Sequence, residues 1–288
     1  MKSMKKSGFK PVISIVTPVW NESTKTVKCF QSIRANTRVP YELIWIDNGS
    51  KQEEFSIVRR QATKPRVHCK LIKNKNNLGF VKATNQGIQE AVGKYIILLN
   101  NDTEVTWGWD MQLLKPFQQN DRIGAVGPIG SSNVGWQGCS NVDRRWKLGL
   151  PAYKKNPQEY AAELAQRFNY RYIEVGGRKL PLSFYCCCLP KKVFDEVGVL
   201  SEDFGIGLGD DDHFAIKLWA HGYKQFLSLG GFVMHHHRTT FKALNYSVDS
   251  IRRHNVQVLK RKIKECEILK KELDKKKRDE EKNSIIEI

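Results

Sequence analysis

Three consecutive carboxylates, Asp210-Asp211-Asp212, follow Gly209 and lead into His213-Phe214-Ala215-Ile216-Lys217. Like charges this close repel one another unless a metal, a cation or a helix N-terminus compensates. A second acidic site, Asn100-Asn101-Asp102, comes directly after the apolar run Tyr95-Ile96-Ile97-Leu98-Leu99. A histidine run, His235-His236-His237, lies downstream and is followed by Arg238 and Thr240-Phe241. Carboxylates at two strand or loop ends, with a histidine, are the donors of one divalent-metal centre assembled by folding. His235 ends an apolar strand, where a neutral imidazole can complete the metal sphere; the run of three leaves open which histidine does so. Asp210 and Asp211 offer a carboxylate base beside the same metal, and a base must lie within hydrogen-bond reach of the hydroxyl it deprotonates.

Asp47 stands at another strand end, before Asn48-Gly49-Ser50. It can accept ring N–H groups of a uracil, thymine or guanine base, or it can close an Asx turn that caps the next helix. Asn100 and Asp102 can reach a ribose and a metal-bound pyrophosphate, or form a polar turn. Manganese or magnesium suits such hard oxygen ligands and normally shares them with phosphates. Lys82 can approach phosphate from the first turn of its helix, or be a surface lysine.

The elements that must position these groups alternate. Val12–Val16, Tyr41–Ile46, Val67–Ile72 and Tyr95–Leu99 read as strands. Helices follow from Ser23 or Thr24, after Ser50 to about Thr63, and from Phe80 through Ala91. Four strand–helix alternations with polar residues after each strand predict a doubly wound α/β sheet, with ligands at the C-terminal strand ends. Beyond it the pattern predicts a helix over Trp107–Gln118, strands at Gly124–Gly127, Leu182–Leu189 and Phe232–His236, and a helix over Asp211–Ala220. Residues 131–180 read as irregular, a binding loop or lid whose aromatics Trp136, Trp146, Tyr153, Tyr170 and Tyr172 suit sugar stacking or belong to the core. From about Ser247 one long helix carries an apolar stripe of Val256, Leu259, Ile263, Cys266, Leu269 and Leu273, fraying after Lys275. The stripe suits packing on the body, coiled-coil dimerisation or docking on a membrane surface.

The chain has 288 residues, 40% of them hydrophobic, and a formal net charge of +18. Such a charge favours anionic partners. Seven cysteines, three of them contiguous at Cys186-Cys187-Cys188 and none in a Cys-x-x-Cys pair, suit neither a disulfide framework nor a zinc site. Reduced thiols in the cytoplasm are the expectation. No apolar run approaches the ~20 residues of a membrane span, so any membrane contact is expected to be peripheral, at the cytoplasmic face.

In order along the chain, several segments resemble the inverting family-2 glycosyltransferases of the GT-A fold, in particular rhamnosyltransferase-like members. They are Val12-Ile13-Ser14-Ile15-Val16-Thr17-Pro18-Val19-Trp20-Asn21-Glu22, Ile46-Asp47-Asn48-Gly49-Ser50, Asn77-Leu78-Gly79-Phe80 through Asn85-Gln86-Gly87, and Leu99-Asn100-Asn101-Asp102-Thr103-Glu104-Val105. Gly127-Pro128, the Cys187–Gly198 stretch, Asp210-Asp211 with Lys217, and His235 continue the series, which covers about residues 11–242. The resemblance implies a Rossmann-like single domain with a central, mostly parallel sheet over 11–245, with a nucleotide-binding half (11–105) and an acceptor-binding half (106–245). A basic tail (1–10) precedes it and a charged helical extension (246–288) follows.

By the same resemblance, Thr17, Pro18, Trp20 and Glu22 form the donor's first contact loop, joined by Asn77, Gly79 and Lys82, and Asp47 reads the base. Asn100-Asn101-Asp102 stands for the Asp-x-Asp motif, with Asp102 as metal ligand and His235 as the late metal-binding histidine. Asp211, beside Asp210, is the catalytic base. Asn100 replaces the usual first aspartate, Asp210 a glutamate, and His213 another aspartate. The implied reaction moves a sugar from a UDP, dTDP or GDP donor, with Mn2+ or Mg2+, to a hydroxyl of a glycan, lipid-linked or protein acceptor, as in polysaccharide biosynthesis. Two rivals are weaker. Nucleotidyl transfer wants a glycine-rich phosphate loop, and Thr17-Pro18-Val19-Trp20-Asn21 is not one. A nucleic-acid-binding module wants clustered basic and aromatic motifs, whereas these lysines are spread along the chain and concentrated toward its ends.

Overall fold

The computed structural model describes residues 9–64, 68–131, 134–153, 156–177, 180–236 and 248–286. Most of the basic tail, Val67, His237, Arg238, Thr240 and Phe241 lie outside the described residues. The first half runs β1 (Ile13–Val19), α1 (Ser23–Asn36), β2 (Tyr41–Asn48), α2 (Gln52–Ala62), β3 (His68–Asn74), α3 (Phe80–Glu90) and β4 (Tyr95–Leu99). The second runs β5 (Thr103–Val105), α4 (Trp109–Leu114), β6 (Ile123–Gly130), α5 (Cys139–Trp146), α6 (Pro157–Phe168), β7 (Tyr172–Val175), β8 (Cys186–Pro190), α7 (Lys191–Val197), α8 (Asp210–Ala220), β9 (Lys224–His235) and α9 (Val248–Ile286).

All nine strands join one sheet, ordered β3-β2-β1-β4-β8-β6-β9-β5, with β7 also on β9. The strands β3, β2, β1 and β4 are parallel. The apolar residues of β2, β1 and β4 are buried on both faces: Ile15, Leu43, Trp45 and Ile97 pack under α1 and α2, and Val16, Ile44, Ile46 and Ile96 under α3. That double burial is why these strands read as continuous apolar runs rather than alternating ones. The winding reverses between β1 and β4, so the crevice opens at their C-terminal ends.

The sheet then turns mixed. β8 runs antiparallel to β4 and to β6, β9 parallel to β6, and β5 antiparallel to β9 with Thr103 opposite His235. Central position was legible in β4; its antiparallel neighbour was not, because pairing direction leaves no mark on a doubly buried strand.

Several boundaries differ from expectation. β6 spans eight residues and β9 twelve, while β8 begins only at Cys186. The Trp107–Gln118 helix is α4 followed by a 3-10 turn over Lys115–Gln118. Residues 131–180 hold α5, α6 and β7 instead of a plain lid. Asn156 caps α6 by accepting from the Gln158 and Glu159 amides, and Pro157 takes its first position, both strong start signals. Tyr160, Leu164 and Phe168 then line one face over Leu227 and Phe232, and Trp136, Trp146 and Tyr153 pack around this third core. Of the five aromatics considered for sugar stacking, these three are therefore packing residues; Tyr170 lies near Lys115, and Tyr172 belongs to β7.

α9 lies back on α8. Ile263, Cys266 and Leu269 meet Ile216, Trp219 and Ala220, while Val258 and Leu259 join the main core. The apolar stripe is thus used within the chain. Val256, expected in it, is 41% exposed, and Val258 takes its place. The helix continues past Lys275 to Ile286. Among the described residues no helix is long and apolar enough to cross a membrane. All seven thiols are free, six of them buried. Burial pushes Cys29 up to about 12 and Cys69 to about 11, so they are inert neutral side chains.

Candidate active site

The turn between β4 and β5 carries Asn100, Asn101 and Asp102; the end of β9 carries His235. Pairing of β5 with β9 brings them together across 133 positions: His235 Nε2 lies 3.0 Å from Asp102 Oδ1. The Asn100 side-chain nitrogen is 3.5 Å from the same Nε2. Ser131 brackets the His235 backbone, its hydroxyl donating to the carbonyl at 3.0 Å and accepting from the amide at 3.2 Å. Tyr185 stacks on the imidazole with ring centres 5.2 Å apart. The next residue repeats the pairing, with His236 Nε2 2.6 Å from Glu104 Oε1. Burial raises the Asp102 pKa, but the hydrogen bond and charge of His235 outweigh it and leave the carboxyl below its ordinary value.

Three buried polar atoms without a hydrogen-bond partner mark the crevice: Thr17 Oγ1 on β1, Asp47 Oδ2 on β2 and Asn100 Oδ1 after β4. Thr17 and Asp47 are wholly buried. Such orphans cost about 1–3 kcal/mol each, so three of them at adjacent strand ends are better explained by a polar ligand than by packing. Asp47 Oδ1 does accept from the Ser50 amide, at a long 3.4 Å. The Asx turn is therefore present but engages only one oxygen.

The flanking loops are laced together. Asn21 and Glu22, after β1, both sit in the left-handed region at φ 56° and 55°, a conformation that costs about 1–2 kcal/mol for a residue with a Cβ. The Asn21 amide donates to Ser50 Oγ at 2.8 Å, and Asn21 Oδ1 accepts from the Lys51 amide at 2.9 Å. Asn48 locks the next turn: its side chain donates to Asn77 Oδ1 and the Gly79 carbonyl and accepts from the Leu78 amide.

The acid cluster opens α8. Asp210 is buried, Asp211 and Asp212 half-buried. The Asp212 amide donates to Asp211 Oδ1 at 2.9 Å, and the Ser183 hydroxyl and Phe184 amide also hold that carboxyl. Burial raises all three carboxyl pKa values, and the charge of Asp211 adds to the rise at Asp210 and Asp212. Ser183-Phe184-Tyr185 is also the bridge to the other cluster, since the Tyr185 carbonyl accepts from the Asn100 amide at 2.9 Å and its ring stacks on His235. That stretch reaches at most about 11 Å, so Asp211 and the Asp102–His235 pair sit at two ends of one short span.

The structure thus gathers Thr17, Asp47, Asn100, Asp102 and His235 at the sheet's C-terminal edge, with Asp211 and Asp210 beside them. Pro18 lies within β1, and Trp20 is half-buried at its end. Other expected contacts have different partners. Asn101 donates to Thr26 Oγ1 at 2.9 Å and belongs to the start of α1. Lys82 is about half exposed and pairs with Glu202 at 3.6 Å. Glu22 pairs with Lys25 at 3.4 Å. Asn77 and Gly79 build the turn into α3. His213 faces away, against Phe204, and burial with nearby Lys217 and Lys262 lowers its pKa to about 4. Ser183, Tyr185 and Ser131 were not anticipated. Reading Leu182–Leu189 as one buried strand concealed the first two; Ser131 carried no signal beyond its type.

Among the described residues no three His, Cys, Asp or Glu side chains form a metal-binding group. Asp102 and His235 supply two such donors, and the unpartnered Asn100 Oδ1 is a third atom of suitable chemistry. The set fits a divalent ion that completes its sphere with oxygens of a bound ligand.

The fold is that of the GT-A glycosyltransferases. GalNAc-T7, solved with UDP, GalNAc and Mn2+, superposes at a TM-score of 0.60 with 17% identity, over 81% of this chain and 45% of that one. Mannosyltransferase PcManGT from Pyrobaculum calidifontis, solved with GDP-Man and Mn2+, does so at 0.58 with 16% identity, over 88% of this chain and 65% of that one. Residues 14–198 match the model of glycosyl transferase family 2, and the chain belongs to that family. A similar curated protein is the O-antigen biosynthesis protein RfbC of Myxococcus xanthus, 24% identical over 234 residues, which cover 81% of this chain and 18% of that protein. The chain spans less than half the length of the curated relatives that it matches.

Proposed function

We propose that this chain is a metal-dependent, inverting glycosyltransferase that moves a sugar from a nucleoside-diphosphate donor to an acceptor hydroxyl in polysaccharide biosynthesis. The observation that carries the reading is the 3.0 Å approach of His235 to Asp102, beside three unpartnered polar atoms and within one short span of Asp211.

Asp47 turns its free oxygen to the base of the nucleotide, and Thr17 and Asn100 meet its sugar or phosphates. Asp102 and His235 would hold Mn2+ or Mg2+. The ion, when bound, neutralises charge that develops on the leaving nucleotide. Asp211 accepts the proton of the acceptor hydroxyl as its oxygen attacks the anomeric carbon from the face opposite the nucleotide. The bond from that carbon to the diphosphate oxygen breaks in the same displacement, so configuration inverts. The Ser183 hydroxyl and Phe184 amide keep the Asp211 carboxyl oriented. Its raised pKa makes it a stronger base than an exposed aspartate. The acceptor occupies the side formed by residues 106–245 and is a glycan, a lipid-linked sugar or a protein. The free thiols suit a cytoplasmic setting.

The test is a thermal-shift panel of UDP, GDP, dTDP and their sugars with and without manganese, followed by transfer assays. One nucleotide should stabilise the protein in a manganese-dependent way. Asp102→Ala should abolish that dependence, and Asp211→Ala should leave binding intact while cutting turnover at least 100-fold, within the usual range for a general base. Full transfer by both variants would overturn the proposal.

A further inference from the structure

Among the described residues of α9 one polar side chain is buried: Asn255, 4% exposed, four residues before the apolar contact at Leu259. Its side-chain nitrogen points into the segment that precedes Asp210. It donates to the Gly207 carbonyl at 2.7 Å and the Leu208 carbonyl at 3.0 Å, with the Phe204 carbonyl at 3.4 Å. That segment needs holding. Gly205, Gly207, Leu208 and Gly209 all have positive φ, at 52°, 107°, 74° and 105°. Three glycines make the path accessible but also make it entropically loose. Leu208 carries a Cβ in a region that penalises one. The Gly205 and Gly209 carbonyls accept from the Val81 and His213 amides, and the Gly207 and Leu208 carbonyls accept from the Asn255 side chain.

The segment is clamped from its other side by α3. The Val81 amide donates to the Gly205 carbonyl at 3.3 Å, and Gly79 approaches so closely that an added Cβ would lie 2.7 Å from that carbonyl oxygen. Asp203 at the segment's start pairs with Lys262 of α9 at 3.0 Å. Residues 203–209 are thus held between the first turn of α3 and the first half of α9, and α8 with its carboxylates follows directly.

We infer that Asn255 is a positioning residue: it fixes the glycine-rich turn before α8, and through it the location of Asp210 and Asp211. The C-terminal helix is therefore part of the active-site architecture, and its apolar stripe serves to bring Asn255 to the turn. The catalytic consequence rests on the role proposed above for Asp211; the structural one does not.

The experiment uses the full chain and three variants, Asn255→Ala, Asn255→Asp and Val256→Ala. Asp keeps the size of Asn and, measured at a pH where its carboxyl is ionised, cannot donate, so it reads the hydrogen bonds should the cavity left by Ala prevent folding. Val256 is the exposed neighbour and serves as control. Amide hydrogen exchange is measured without ligand. Exchange in 204–213 should quicken at least tenfold in Asn255→Asp and Asn255→Ala, remain at the wild-type rate in Val256→Ala, and remain unchanged across 41–50 in all three. Release of nucleoside diphosphate from UDP-, GDP- and dTDP-sugars with manganese should fall at least tenfold in kcat, with KM for the donor within threefold. Wild-type protection of 204–213 in Asn255→Asp, or loosening spread equally over 41–50, would overturn the inference. If the wild-type chain itself releases no nucleotide from any donor, the proposed reaction fails and the exchange rates alone decide the role of Asn255.

Discussion

At the scale of single residues, the site combines atoms that are satisfied with atoms that are not. Asp47 is the sharpest case, since one oxygen closes a weak turn and the other has no partner in a wholly buried place. Removing its charge should therefore separate stability from binding. Asp47→Asn should melt no lower than the wild type without ligand. It should weaken nucleotide affinity by roughly 10-fold or more, the worth of a hydrogen bond to a charged group. Calorimetric titration and a thermal melt on the same sample check both parts. The acid cluster gives a pH prediction. The folded-state pKa of Asp210 is raised by burial and by Asp211, so its contribution to stability is present below the ordinary carboxylate range and is lost as pH rises through the folded value. Asp210→Asn should accordingly raise the melting temperature at pH 8 by about 2 °C or more and change it little at pH 4, each kcal/mol corresponding to about 2–4 °C in a chain of this size. The residues proposed for the chemistry, Asp102, His235, Asp211 and Asp47, could be singled out by type and spacing. Which neighbours orient them was not: Ser183, Tyr185 and Ser131 are ordinary residue types whose function comes from where the chain returns.

Among the elements, the turn into α3 links the two halves of the site. Gly79 has a φ of +87° and touches the turn before α8. Gly79→Ala should destabilise the protein by about 1–3 kcal/mol, from strain at a left-handed position and a backbone clash. It should also lower turnover more than nucleotide affinity, which a denaturation curve beside steady-state kinetics will resolve. The first four strands were readable because each is a short apolar run ended by polar turn residues. α6 was missed although Asn156-Pro157 announces it, because residues 131–180 read as one irregular segment; Tyr160 of α6 packs with Tyr153 against Phe232. Asn255 interrupts the stripe of α9 at helical spacing from Val258 and Leu259. A polar residue in such a stripe could have been singled out, but its partners are 47 to 51 positions away and no local pattern names them.

For the molecule as a whole, the pairing of segments more than a hundred positions apart is what makes a site. Asp102 with His235, and Asn85 with both the amide and the carbonyl of Leu200, tie the two halves into one body. The family match ends at residue 198, before Asp210, Asp211, His235 and Asn255. Asp211 and His235 were nonetheless legible by residue type and spacing, whereas Asn255 was not.

The order of strands also decides how safely this sheet can be made. Its outermost members, β3 at one border and the short β5 and β7 at the other, present unpaired backbone that a second chain could extend. β5 is three residues long, too short to seed a fibre, and β3 carries exposed Lys70 and Lys73 along its length. Replacing both lysines by valine should leave nucleotide binding unchanged yet yield aggregates visible by light scattering on refolding, whereas the wild-type chain should refold clear. The lysines at that border, read at first as anonymous contributors to a large positive charge, then act as a fence against self-association.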